Sequence, residues 1–235
     1  MKYLIKPILG ILLVLAFGCN QKVEKAEKKE TKLKAKPKVQ VEKKKKEVAV
    51  KTWDSLNAKN VKPFFQEFGK QNKQSIVEIS TKFGKIKIRL YNDTPIHRAN
   101  FLFLTKIEYF NTTVFYRVAK DFVIQGGNSD HFYTIKQRNK YGNYQLEPEF
   151  RKNRRHKYGA LAAARDWENN PKKLSSPFQF YIVHKRDGAH HLDGEHTVFG
   201  EVISGFKTMD RIADVKVGPD EWPISDVHMT IKILE

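Results

Sequence analysis

Cysteine is almost missing from this chain. Cys19 is the only one in 235 residues, so no disulfide can join two parts of the same chain. Acidic side chains are the scarcer charge, 26 against 44 lysines and arginines, which leaves a formal net charge of +18. The apolar run Ile8–Gly18 falls short of the about 20 residues that a membrane-spanning helix needs. Residues 20–51 contain no aromatic residue and one proline. Without aromatic faces to stack bases, their lysines make a poor nucleic-acid surface. The chain shows no convincing nucleophile–base triad.

The N-terminus does carry a pattern. Lys2 and Lys6 precede the apolar run, and Gly18 sits just before Cys19. A basic start, an apolar stretch and a small residue at the cleavage point make a secretory signal over residues 1–18. Ala16-Phe17-Gly18-Cys19 resembles the lipobox of bacterial lipoproteins, with Leu15 one place early. Cys19 is therefore expected to be lipidated and to hold the protein at the bacterial cell envelope, facing the periplasm or the surface. Acyl chains contribute about 0.8 kcal/mol per buried CH₂, so multiple acylation anchors stably. Beyond Cys19, residues 20–51 hold thirteen lysines against five glutamates. Such a stretch cannot bury enough apolar surface to order itself and reads as an extended tether. Attraction to anionic headgroups is the alternative use of its charge.

Residues 52–235 carry 29 basic and 21 acidic side chains, a mild excess for a folded part. Val61, Phe64, Phe65 and Phe68 recur at helical spacing, predicting a short helix within an N-terminal extension, residues 52–75. The segments Ile76–Thr81 and Lys85–Tyr91 alternate apolar and polar residues, which predicts a hairpin. Thr94-Pro95 reads as an N-cap followed by proline at N1, opening a helix to about Ile107. Short strands are expected near 113–118, 122–125, 159–164, 178–183, 197–202 and 227–233, and a second helix over 206–213. Residues 128–158 read as polar and irregular, with a turn at Tyr141-Gly142-Asn143. Many short strands with two helices point to a closed, helix-plugged β-barrel.

The densest chemistry lies in Phe115–Gly127. Arg117 and Gln125 stand among Phe115, Phe122, Val123 and Ile124, and the run ends in Gly126-Gly127. A fixed guanidinium beside an apolar pocket can hold an apolar group and hydrogen-bond a neighbouring amide, which suits a proline-containing peptide. Taken alone, Arg117 reads more readily as a surface arginine on a strand.

Five separated blocks together carry a family pattern: Thr94-Pro95 with Asn100-Phe101, Phe115–Gly127, Gly159–Arg165, Gln179–Ile182, and Leu192–Gly200. In this order they resemble the cyclophilin-type peptidyl-prolyl isomerases over residues 76–235. The resemblance implies a mainly β fold, an eight-stranded antiparallel closed barrel capped by two α-helices. It places the catalytic arginine on Arg117, an apolar proline cup on Phe122, Val123, Tyr181 and Leu192, and the arginine-orienting glutamine on Gln125. Backbone reading falls on Ala164 and Arg165, the groove lining on Gln179, and the pocket-floor histidine on His196. Tyr181 stands where the family commonly has phenylalanine. His191 stands where a tryptophan supports cyclosporin binding, which implies weak inhibition by that drug. Residues 166–176 form a lengthened loop.

Isomerisation needs neither cofactor nor metal, and none is expected. His184, His190, His191 and His196 lack the convergence a zinc site requires. The charge run Arg151–Lys157 reads as a solvated loop. The expected partners are proline-containing polypeptides folding outside the cytoplasm, with no nucleic acid, and the protein is expected to be a monomer. Two other classes stay open: a domain that grips proline segments without turning them over, and an envelope protein acting through its lysines.

Overall fold

The structure, a computed structural model, describes residues 56–141 and 144–234. The signal-like segment, Cys19 and the lysine-rich stretch lie outside the described residues. Within the described residues eight strands form one sheet: β1 (Ile76–Thr81), β2 (Gly84–Leu90), β3 (Val114–Ala119), β4 (Val123–Asn128), β5 (Ala160–Ala163), β6 (Phe180–Val183), β7 (Val198–Ser204) and β8 (Thr230–Ile233). Their order is β3-β4-β6-β5-β7-β2-β1-β8, and every ladder is antiparallel. The edges β3 and β8 come together through one bridge, Val114 with His228, and the Phe115 N–H donates to the Val227 carbonyl at 3.0 Å. The barrel is thus curled shut by a single bridge rather than a full ladder. Among the described residues no helix is long and apolar enough to cross a membrane.

Among the described residues four α-helices accompany the sheet: α1 (Val61–Gln71), α2 (Pro95–Lys106), α3 (Phe132–Tyr141) and α4 (Phe206–Ala213). α2 packs against β7 and β8, and α4 against β2, β3 and β4. Both bury side chains in the barrel core with Phe115, Phe180 and Ile182. The stripe on α1 is core: Phe64, Phe65 and Phe68 surround Phe103 of α2 at ring separations of 5.6, 5.8 and 5.6 Å. α3 corrects the reading of 128–158 as irregular. It buries only Thr134 and Tyr141, so its sequence has no apolar stripe to announce it.

The start of α2 is a second correction. Thr94 occupies the N-cap position without capping; its hydroxyl donates back to the Tyr91 carbonyl at 3.3 Å. The Glu149 carboxylate takes its place and accepts from the Ile96 and His97 N–H groups at 3.2 and 2.9 Å and meets His97 Nδ1 at 2.7 Å. Burial works against that charge, but the bonds from His97 and the two backbone N–H groups hold the carboxyl below its ordinary range. An anion over a helix N-terminus also gains from the helix dipole.

Within the run Gly159–Ala164, β5 is a strand buried on both faces. Leu161 and Ala163 point into the main core. Ala160, Ala162 and Ala164 point outward into a second apolar cluster with Val123, Tyr181, Val183, Leu192 and Val198. Small side chains on that outer face leave room for a cleft.

Candidate active site

Strand register assembles the site. Arg117 pairs with Gln125, Gln125 with Tyr181, and Tyr181 with Ala162. Directly paired residues share a face, so these four form one rung across the outer side of the barrel. On β3 the register slips between Phe115 and Arg117, making Tyr116 the extra residue of a bulge. A bulge lets neighbouring residues turn toward the same side, and both Tyr116 and Arg117 reach Gln125. Gln125 Nε2 donates to the Tyr116 hydroxyl, which donates to Gln179 Oε1 at 2.9 Å. Arg117 Nη1 lies 3.5 Å from Gln125 Oε1, the long limit of a hydrogen bond.

A cleft of about 400 Å³ opens over this rung. It brings together Arg117, Phe122, Val123, Gln125, Ala164, Arg165, Tyr181, His191, Leu192 and His196. Every expected site residue among the described ones is there except Gln179, which lines a neighbouring depression of about 670 Å³ with Arg138, Asp166 and Phe178. The Arg117 guanidinium lies 5.9 Å from the Phe122 ring centre, and His191 stacks on Phe122 at 5.7 Å. Leu192 is brought in by a 3-10 turn, His190–Leu192.

Gly126-Gly127 is a requirement of close approach. Gly127 has φ +91°, and a Cβ there would lie 2.0 Å from the Phe178 carbonyl oxygen. That contact seats β4 against the segment leading into β6.

Three partners of the site were not visible in the sequence. Glu221 Oε2 lies 2.7 Å from Arg117 Nε, held by a loop whose Glu221 carbonyl accepts from the Val118 N–H at 2.8 Å. Trp167 lines the cleft. His156, fully buried, sits beneath Tyr181 with Nε2 2.9 Å from its hydroxyl. His156 Nδ1 in turn meets Asp193 Oδ1 at 2.8 Å. The Asp193 carboxylate also accepts from the His156 N–H and Arg155 Nε, both at 2.8 Å. Burial opposes charge on Asp193, yet these bonds outweigh it and hold the carboxyl well below its usual range. Burial pushes His156 down, against Asp193. The favoured state is an Asp193 carboxylate, a neutral His156 with its proton on Nδ1, and a Tyr181 O–H donating to Nε2. The substitution of tyrosine for phenylalanine was the one signal that a polar partner lay underneath.

His196 Nδ1 donates to the Ala163 carbonyl at 3.0 Å. Burial, with help from Arg165 and His156, lowers its pKa to about 4, so the ring is neutral and presents Nε2 as an acceptor. The other histidines scatter: His184 meets Asp210 at 3.1 Å and His190 meets Asp193 at 3.1 Å. Among the described residues no group of three or more His, Cys, Asp or Glu is placed to hold a metal ion. The run Arg151–Lys157 is mostly exposed, apart from the buried His156, and two of its arginines form ion pairs. Arg154 bonds Asp93 at 3.0 Å and lies 3.6 Å from the Tyr91 ring centre, and Arg155 bonds Asp193.

Residues 76–232 match the family model of the cyclophilin type peptidyl-prolyl cis-trans isomerase/CLD. The chain belongs to that family. A cyclophilin relative from Caenorhabditis elegans, peptidyl-prolyl cis-trans isomerase 10, is 36% identical over 150 residues, covering 63% of this chain and 88% of its own. A peptidyl-prolyl cis-trans isomerase of Acinetobacter baylyi is 33% identical over 143 residues, covering 60% and 73%. An Arabidopsis thaliana isomerase, 32% identical, is far longer, and this chain spans 30% of its length. A crystal structure of a Cryptosporidium parvum cyclophilin aligns with a TM-score of 0.58 at 25% identity, over 69% of this chain and 98% of that one. The same protein in the presence of the dipeptide Ala-Pro aligns at 0.57.

Proposed function

We propose that this cyclophilin accelerates rotation about Xaa-Pro bonds in polypeptides folding outside the cytoplasm, with Arg117 as the catalytic residue. Amide resonance opposes rotation by about 18–20 kcal/mol, and uncatalysed exchange before proline takes tens to hundreds of seconds. In the twisted transition state resonance is lost and the imide nitrogen gains a localised lone pair. Phe122, Val123, Tyr181 and Leu192 form the cup for the proline ring. Arg117 donates to the twisted imide more strongly than to the planar one, and that difference lowers the barrier. No bond to carbon breaks, so no nucleophile is called for.

The observation that carries this reading is the placement of Arg117 on the rim of an apolar cup. Glu221 at Nε and Gln125 at Nη1 engage part of its fork, and N–H groups remain for a ligand. Exchange NMR on a proline tetrapeptide tests it. The wild-type chain is expected to broaden or exchange the cis and trans signals, and Arg117→Ala to lose most of that effect. Equal exchange by the two proteins points instead to a domain that holds proline segments without turning them over.

The address follows from Cys19 and the segment before it. The mature protein is proposed to be a lipid-anchored monomer of the bacterial envelope, with residues 20–51 as its spacer. Labelling cells with an alkyne fatty acid tests the anchor: Cys19→Ala is expected to lose the label and leave the membrane fraction.

A further inference from the structure

Trp167 is an aromatic wall of the cleft that the arginine-and-cup mechanism does not use. It is 61% exposed, yet it is propped by two neighbours. The Arg165 guanidinium lies 4.2 Å from its ring centre, and the His196 ring meets it edge-on at 5.1 Å. Arg165 is itself fixed, its side chain only 4% exposed. Its Nε donates to the Glu195 carbonyl and its Nη2 to the Glu195 carboxylate, both at 2.8 Å. Lys173 holds the other carboxylate oxygen at 2.6 Å. A single exposed apolar residue ordinarily calls for no explanation; this one is immobilised by a buried cation at the edge of a ligand cleft.

The rings run in sequence. Tyr181 lies 5.5 Å from His196, and His196 lies between Tyr181 and Trp167. A proline ring on Tyr181 therefore places a neighbouring residue of the same peptide over His196 and Trp167. We infer that Trp167 is a specificity-determining residue that binds an aromatic or large apolar side chain flanking the substrate proline. One ring face already carries a guanidinium, and Arg117 and Arg165 both line the cleft, so the open face disfavours a lysine or arginine at that position. Aromatic pairs add stabilisation beyond the area they bury, and the ring pays little conformational entropy because it is already held.

The inference rests on the cup binding proline, and its test separates the two claims. The full chain is assayed on tetrapeptides carrying Phe, Leu, Gly or Lys before the proline, and on a matching set varied after it. The wild type is expected to prefer Phe and Leu over Gly and Lys in one of the two sets, through KM. Trp167→Ala is expected to collapse that preference roughly 10-fold, in line with the selectivity one apolar side chain confers, and Trp167→Phe to keep most of it. Binding is read separately from turnover by intrinsic fluorescence. In an Arg117→Ala background, a Phe-containing peptide is expected to change Trp167 emission, and the change should vanish in Arg117→Ala/Trp167→Phe. A preference that survives Trp167→Ala, or a uniform loss on every peptide, overturns the inference whatever Arg117→Ala does to turnover.

Discussion

The Glu221 carboxylate sits 2.7 Å from Arg117 Nε, across 104 residues of sequence. Both side chains are over a third exposed, so the pair contributes little to stability. Its effect is on geometry, because a guanidinium fork is planar and fixing one N–H aims the others. Glu221→Gln is expected to leave the urea midpoint nearly unchanged and to lower kcat/KM by about 3- to 10-fold, since losing a positioning contact of about 1 kcal/mol has that effect. An unchanged kcat/KM would show that Gln125 alone orients the arginine.

The buried relay under the cup gives a graded pair of variants. Tyr181→Phe removes one hydrogen bond and leaves Asp193–His156 intact, at a cost of about 1 kcal/mol. His156→Ala leaves the buried Tyr181 hydroxyl without its acceptor, removes one of several bonds to Asp193, and empties the space of a fully buried ring. It is expected to cost about 3 kcal/mol, because a buried hydroxyl is left unpaired and a cavity opens beneath Tyr181. Chemical denaturation of both variants checks the order, and the double variant should cost less than the sum.

Acid should weaken the fold through its buried histidines. His196 titrates at about 4 in the folded chain against an ordinary 6.5. A lowered histidine pKa means that the unfolded chain takes up a proton the folded one refuses. Its stabilising share is complete above pH 6.5 and drains away as pH falls from 6.5 toward 4. At about 1.4 kcal/mol per unit the loss is of order 3 kcal/mol, and His156, shifted the same way, adds to it. Urea midpoints at pH 7, 5.5 and 4.5 should decline, and less steeply in His196→Asn.

The two glycines at the end of β4 are expected to respond differently to alanine. At Gly127 the new Cβ meets a backbone carbonyl at 2.0 Å with φ +91°, so neither the site nor the backbone can yield. Loss of more than about 3 kcal/mol, or of soluble protein, is expected. At Gly126 the nearest atom, 2.7 Å away, is the terminal methyl of Met229, which can swing aside at a cost of about 1–2 kcal/mol. Equal thermal midpoints for the two variants would contradict this account.

Much of the barrel was legible along the chain. β1, β2 and β4 alternate or cluster their apolar residues because one face meets a single core, and Arg117, Phe122, Val123 and Gln125 fall within nine residues of one hairpin. The α3 helix escaped because it buries two side chains only. The bulge at Tyr116 escaped because it is a property of pairing with β4 and not of β3. Thr94 was the obvious cap by local rules, and Glu149 displaced it from 55 residues away.

Local order was therefore written in local pattern: strand periods, the glycine pair, and the clustering of one arginine with apolar neighbours. The partners that tune the site were decided elsewhere. Glu221 reaches Arg117, His156 reaches Tyr181, and Arg165 props Trp167 against His196. Those contacts join loops distant in sequence to the barrel and depend on which strands lie side by side and in what register; a one-residue slip would turn Arg117 and Tyr181 to the opposite face. No spacing along the chain encodes that choice, because it is made by the burial of two faces of one curled sheet at once.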